Sequence, residues 1–158
     1  MIQRKQTVFL FLAFVAMVLN FIFPIAKFIG GGDYQIEFYL YKLVSLVPDV
    51  TVPVDNSFFI AGTAFAGVVA LGSLISIFFY NNRILQAKVV RMLVIFTLAQ
   101  IAVLFFYSIP AIEKISGNQV EYNYVGIAMP LVAFLMLVLA VRGIMDDEKL
   151  VRSADRLR

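Results

Sequence analysis

"FFIAGTAFAGVVALGSLISIFFY", residues 58–80, holds no Asp, Glu, Lys or Arg. As a helix rising about 1.5 Å per residue it is about 34 Å long, enough to cross the roughly 30 Å apolar core of a bilayer. Three more stretches read the same way: residues 7–23, with a continuation past Pro24 to Ile29 left open, residues 89–109, and residues 124–141. Each is bounded by polar or charged residues, and none carries a charge deeper than Arg91, two residues into the stretch 89–109. The pattern predicts a single membrane domain, a bundle of four transmembrane helices.

Composition agrees. Of 158 residues, 62% are hydrophobic and 15% charged, with mean hydropathy +0.93. Soluble domains run at about 45–50% apolar and about 25% charged. The net charge of +3 comes with no long basic run and no basic stripe interleaved with exposed aromatics, so nucleic acid is not an expected partner. The chain has no Cys and no His. That excludes disulfides, iron–sulfur clusters, thiolate zinc and cysteine nucleophiles, and removes the usual general base and metal ligand. No cofactor and no metal are expected, and the catalytic inventory is thin.

The bases set the expected orientation. Four spans put both termini and the 81–88 loop on one side, where Arg4, Lys5, Arg83, Lys88, Arg91, Arg142, Lys149, Arg152, Arg156 and Arg158 fall; Lys27, Lys42 and Lys114 fall on the other. Both termini are therefore expected in the cytoplasm. Arg4 and Lys5 before an apolar run resemble a signal peptide, but without a small-residue cleavage site the segment reads as an uncleaved anchor. Six of the seven tyrosines lie near the outer face, as an interfacial belt requires.

The outer loop over residues 24–57 is too long for a plain connector. "YQIEFYLYKL", residues 34–43, alternates Ile36, Phe38 and Leu40 against Gln35, Glu37, Tyr39 and Tyr41, a strand pattern. Residues 50–55 and 119–124 are further strand candidates. Together they predict a small antiparallel sheet over the outer, periplasmic end of the bundle, with Pro53 confining its strand to an edge.

Inside the spans, Gly62, Ala66 and Ala70 recur every four residues with Ser73 on the same face, spacing that lets another helix approach closely. Packing within the bundle is the simpler reading, a dimer face or partner groove the other. Asn20 and Gln100 are the amides well inside, about 20 Å and about 14 Å from the cytoplasmic ends at about 1.5 Å per residue. They could bond to each other, to another helix or to a backbone carbonyl. Pro110 and Pro130 read as packing kinks. Glu113 and Lys114 sit where the third helix leaves the outer face and suit interfacial snorkelling.

"DDEKLVRSADRLR", residues 146–158, reads as a helix or helix extension with acids in its first turn and bases following, as the helix dipole favours. Leu150, Ala154 and Leu157 make a narrow apolar stripe, and Glu148 and Arg152 are spaced for an ion pair. The segment is expected to be a cytoplasmic amphipathic helix that meets protein rather than lipid alone.

The opening "MIQRKQTVFL" and the ending "LVRSADRLR" resemble an uncharacterised four-span membrane family of Bacteroidota, domain-of-unknown-function family 4293. The resemblance covers the whole chain and rests on Gln3, Arg4, Gln6 and Thr7, then on Leu150, Val151, Arg152, Ser153, Ala154, Asp155, Arg156, Leu157 and Arg158. Ile2 stands where the pattern has an aromatic. The likeness implies a bacterial inner-membrane protein and carries no activity with it.

The expected function is a non-enzymatic accessory subunit of a larger inner-membrane complex, with membrane lipids and another inner-membrane protein as partners. Its docking surface would combine Gln3, Arg4, Arg83, Lys88, Arg91, Arg152, Asp155, Arg156, Leu157 and Arg158. One alternative is a small transporter or channel for a neutral or lipid-like solute, using Asn20, Gln100 and the kink at Pro130. Another is a lipid-modifying membrane enzyme using Glu113, Glu121 or a loop Asp.

Overall fold

The computed structural model describes residues 5–29, 35–47 and 57–156. The order of elements is α1 (Lys5–Ile22), β1 (Ala26–Ile29), β2 (Ile36–Tyr39), β3 (Lys42–Ser45), α2 (Ser57–Phe78), α3 (Arg83–Val103), α4 (Ile109–Ser116), β4 (Gln119–Tyr122) and α5 (Tyr124–Arg156). A 3₁₀ turn (Phe79–Asn81) follows α2, and a π turn (Leu104–Ser108) joins α3 to α4. Among the described residues, four helical stretches are long and apolar enough to cross a membrane: Lys5–Ile22, Phe59–Asn81, Arg83–Ser116 and Tyr124–Val151.

The helices run alternately up and down. α1 packs on α2 and α5, and α3 packs on the same two from the other side. Small residues make close approach possible: Ala13 and Ala16 on α1, Ala66 and Ala70 on α2, and Ala133 and Ala140 on α5 are all buried. Leu10, Met17, Val69, Val90, Leu93 and Leu137 fill the space between them. The outward faces are equally apolar, with Ile60, Leu71, Phe78, Ile95 and Leu135 all more than half exposed. In water such faces would drive aggregation; against lipid they need no further cover.

α1 stops at Ile22 and does not continue to Ile29. Pro24 has no N–H to donate and disfavours the helical conformation at Phe23. Residues 26–29 instead form one of the two inner strands of a sheet ordered β3-β2-β1-β4, every pair antiparallel. The 34–43 stretch is not one strand but a hairpin: β2 turns at Leu40–Tyr41, so that Tyr39 faces Lys42. The 119–124 candidate is β4, paired to β1 with Lys27 opposite Glu121. The 50–55 candidate, with Pro53, lies outside the described residues.

The sheet caps the end of the bundle at which α1 finishes and α5 begins. Phe28, Ile36 and Phe38 point down and are at most 1% exposed, alongside Ile25, Ala26 and Leu40. Phe38 meets Phe59 at the start of α2 with ring centroids 6.4 Å apart. The hairpin tip is tied to α2 where Thr63 Oγ1 donates to Leu40 O over 3.2 Å. Gly62 leaves room beside it: a Cβ there would lie 3.4 Å from Leu40 Cδ1.

The opposite end departs from the expected loop and tail. α3 begins at Arg83, inside the 81–88 segment read as a connector, because Asn82 Oδ1 accepts from Leu85 N at 3.0 Å and caps the first turn. α5 continues unbroken from the membrane-length segment to Arg156. Asp146, Asp147 and Glu148 therefore lie more than twenty residues inside a helix, not in its first turn, and the dipole argument for them fails.

Candidate functional site

Asn20, Gln100 and Gly126 bring α1, α3 and α5 together at one point. Gln100 Nε2 donates to Asn20 Oδ1 at 3.0 Å, and Asn20 Nδ2 donates to Gly126 O at 3.1 Å. Both amides are fully buried. Gly126 O accepts this bond because its normal helical donor, four residues on, is Pro130, which has no N–H. Pro130 thus leaves a carbonyl open and Asn20 closes it, which keeps α5 helical through the proline. The levels match because α3 starts six residues before the position assumed from sequence, raising Gln100 by about 9 Å at about 1.5 Å per residue.

Gly126 is also where the chain leaving α1 crosses α5. A Cβ there would lie 2.7 Å from Pro24 C and 2.9 Å from Ile25 Cα, so the close approach of two backbones requires glycine. Pro110 has a different solution. Ile109 N reaches back five residues to Leu104 O, and the wide turn accommodates a proline that cannot continue the α ladder.

A second group of buried polar residues lies toward the other end. Gln86 Nε2 donates to Ser76 O at 2.8 Å, while Ser76 Oγ and Ser73 Oγ donate to Gly72 O and Ala70 O in their own helix. Gln6 is 2% exposed, and neither its Nε2 nor its Oε1 has a hydrogen-bond partner among the described residues. Its backbone lies against α5 at Gly143. The sequence reading placed Gln6 at a span boundary and Gln86 in a loop, so neither stood out as buried. The signal available was an amide one turn from an apolar run.

The docking residues expected from sequence are only partly gathered. Arg83 Nη1 donates to Asp147 O at 2.9 Å, and Arg91 Nη2 approaches Met145 Sδ at 3.2 Å, so both reach from α3 to α5. Lys88 is exposed and has no bond among the described residues. Arg83 also lines a groove of about 390 Å³ with Asn81, Asn82, Ile84, Glu148 and Val151. Gln3, Arg4, Leu157 and Arg158 lie outside the described residues, as do the side chains of Arg152, Asp155 and Arg156. The ion pair expected between Glu148 and Arg152 falls there too; Lys149 instead lies 3.6 Å from Asp146. Leu150 and Val151 are 69% and 42% exposed, an apolar patch on the projecting part of α5.

On the sheet, Lys27 Nζ and Glu37 Oε1 are 2.6 Å apart, and Tyr39 Oη donates to Glu37 Oε2 at 3.1 Å. The hydrogen bond from Lys27 holds the Glu37 carboxyl below its ordinary value of 4.5, and the same bond raises Lys27 above 10.5. Burial first, then its bond to Glu37, keeps the Tyr39 phenol above 10.0. Glu113 is exposed, and Glu121 on β4 lies opposite Lys27 on the neighbouring strand β1.

These features define a class: a bundle of four helices long and apolar enough to cross a membrane, under a four-stranded sheet cap, with the last helix reaching Arg156. The chain belongs to the family described as domain of unknown function (DUF4293), whose model matches residues 2–157. No curated protein matches it.

Proposed function

We propose that this protein is a non-enzymatic accessory subunit of a larger inner-membrane assembly. In this reading both termini face the cytoplasm, on the side holding most of its bases, and the sheet faces the periplasm. The observation that carries the reading is the length of α5. A helix needs about 20 residues to cross the apolar core of a bilayer, and α5 has 33. The remainder projects by about 20 Å at about 1.5 Å per residue, with Leu150 and Val151 exposed on it. Arg83 and Arg91 brace its base. A braced, projecting, amphipathic helix suits reception by a groove on another protein.

The alternatives draw less support. A transporter needs a polar path, whereas Leu10, Met17, Val69, Leu93 and Leu137 pack the space between the helices. A lipid-modifying enzyme needs paired groups, and Glu37 on β2 is engaged by Lys27.

The test is purification of the full chain in mild detergent, with mass spectrometry of what accompanies it. A stoichiometric membrane-protein partner is expected, lost when Leu150 and Val151 are both changed to Asp while the thermal midpoint is kept. Recovery of the chain alone, with residues 146–158 rapidly cleaved by protease, overturns the proposal.

A further inference from the structure

The sheet end carries a groove of about 750 Å³ between the last turn of α1 and the β2–β3 hairpin, lined by Phe21, Ile22, Tyr39, Tyr41, Lys42 and Thr63. Its composition changes along its length. Phe21 and Ile22 make an apolar floor at the end of a membrane-length helix, and Ile22 is 59% exposed. Lys42 stands at the polar rim, its Nζ 5.4 Å from the Tyr39 ring centroid and 5.3 Å from that of Tyr41. Two aromatic faces hold this ammonium in place, which lowers the entropy lost when it binds an anion.

Its charge is also uncommitted. Among the described residues Lys42 has no carboxylate partner, whereas the nearby Lys27 is taken by Glu37, and Glu37 also accepts from Tyr39. Two other grooves among the described residues differ on this point. Beside Arg83 the guanidinium is spent on Asp147 O and Glu148 shares the lining; beside Lys27 the lining includes Glu121. Of the three, the Lys42 groove alone joins an apolar floor to a cation without a carboxylate in its wall.

We infer that this groove binds a phospholipid with an anionic headgroup, its phosphate at Lys42 Nζ and an acyl chain along Phe21 and Ile22. The geometry suits the depth at which such a lipid lies: floor level with the end of α1, rim on the sheet that caps it. The tyrosines serve as interfacial anchors beside the headgroup. This inference rests on the helices crossing a bilayer and is independent of any docking by α5.

The test uses the full-length protein in neutral detergent and native mass spectrometry with phosphatidylglycerol or phosphatidylcholine of the same chains. Retention of phosphatidylglycerol over phosphatidylcholine is expected. Lys42→Gln should weaken it about fivefold, the worth of one basic side chain near an anionic lipid surface. Lys42→Arg should retain it, and Lys149→Gln, at the other end of the bundle, should leave it unchanged. Ile22→Ser, at an already exposed position, should weaken binding through the floor, and thermal midpoints without lipid verify folding of each variant. Equal retention of the two lipids, or unchanged binding by Lys42→Gln, overturns the proposal. Displacement of the lipid by inorganic phosphate alone would overturn the lipid as ligand in favour of a soluble phosphate.

Discussion

Asn20 donates to the one carbonyl in α5 that Pro130 leaves without a helical partner, Gly126 O at 3.1 Å, while accepting from Gln100 at 3.0 Å. A side chain on α1 thereby repairs a gap in the ladder of α5, and α3 is drawn into the same bond chain. Two residues far apart in sequence compensate one another, which makes their coupling measurable.

Asn20→Leu should therefore destabilise the bundle by about 1–2 kcal/mol, in the range for a buried polar group left unpaired and for interhelical bonds in lipid. Pro130→Ala restores the N–H that Gly126 O lacks, so the double variant should lose less than the sum of the two single changes. Reversible unfolding in mixed micelles measures all three. Strict additivity would show that the proline and the asparagine are not coupled.

Gly126→Ala should cost more than Gly72→Ala. The new methyl at position 126 meets the Pro24 backbone, whereas at 72 it meets Leu93 Cδ2 at 2.6 Å, the far end of a side chain that can turn aside. We expect a loss of about 1–3 kcal/mol for the first. The second should stay within about 1 kcal/mol, since alanine's helix preference offsets part of the strain. The same unfolding assay ranks them, and equal losses would place the tight contact elsewhere.

The Lys27–Glu37 pair gives the sheet a defined pH response. Because the folded carboxyl titrates below its ordinary 4.5, its contribution is present above that value and is lost as pH falls through the lowered one. Because folded Lys27 titrates above 10.5, its contribution is complete below that value and is lost as pH rises through the raised one. Glu37→Gln should flatten the acid limb and spare the neutral region, with a modest effect because the Lys27 side chain is 40% exposed. Amide exchange of residues 26–29 and 36–39 against pH reads the effect. A wild-type acid limb in the variant would remove Glu37 as its source.

Arg83→Ala should free the projecting part of α5 without touching the sheet. The guanidinium reaches Asp147 O across 2.9 Å from a capped helix start, and partial exposure limits the bond to about 1 kcal/mol. Amide exchange should quicken severalfold over residues 147–156 and remain unchanged over residues 119–122. Uniform change across both segments would mean that Arg83 supports the whole bundle instead.

Much of this architecture is legible in the sequence. Uncharged runs of membrane length require helices, because every backbone polar group must be bonded within its own segment in an apolar solvent. The alternation of Ile36, Phe38 and Leu40 marked one buried sheet face, and β4 stood out as a β-rich segment between turns. The hairpin leaves only a slight mark on that alternation: pairing Phe38 with Leu43 across the turn at Leu40–Tyr41 shifts the phase by one, so Lys42 stands where a single strand would place an apolar residue and Leu43 where it would place a polar one.

What the sequence determined by itself, then, is local: how many long apolar helices there are and which strand face is greasy. What only the tertiary structure decided is non-local. "IAKFI", residues 25–29, suits a helix or a strand equally until β2 and β4 supply partners on both sides. Asn20 and Gln100 become a pair only when the start of α3 sets their levels and the packing on α5 sets their rotation. Gln6 and Gln86 became buried amides only when neighbouring helices covered them. A sequence pattern records the preference of each residue for water or its absence; which carbonyl lies within 3 Å of an amide is fixed by how separate segments pack, and no single segment contains that information.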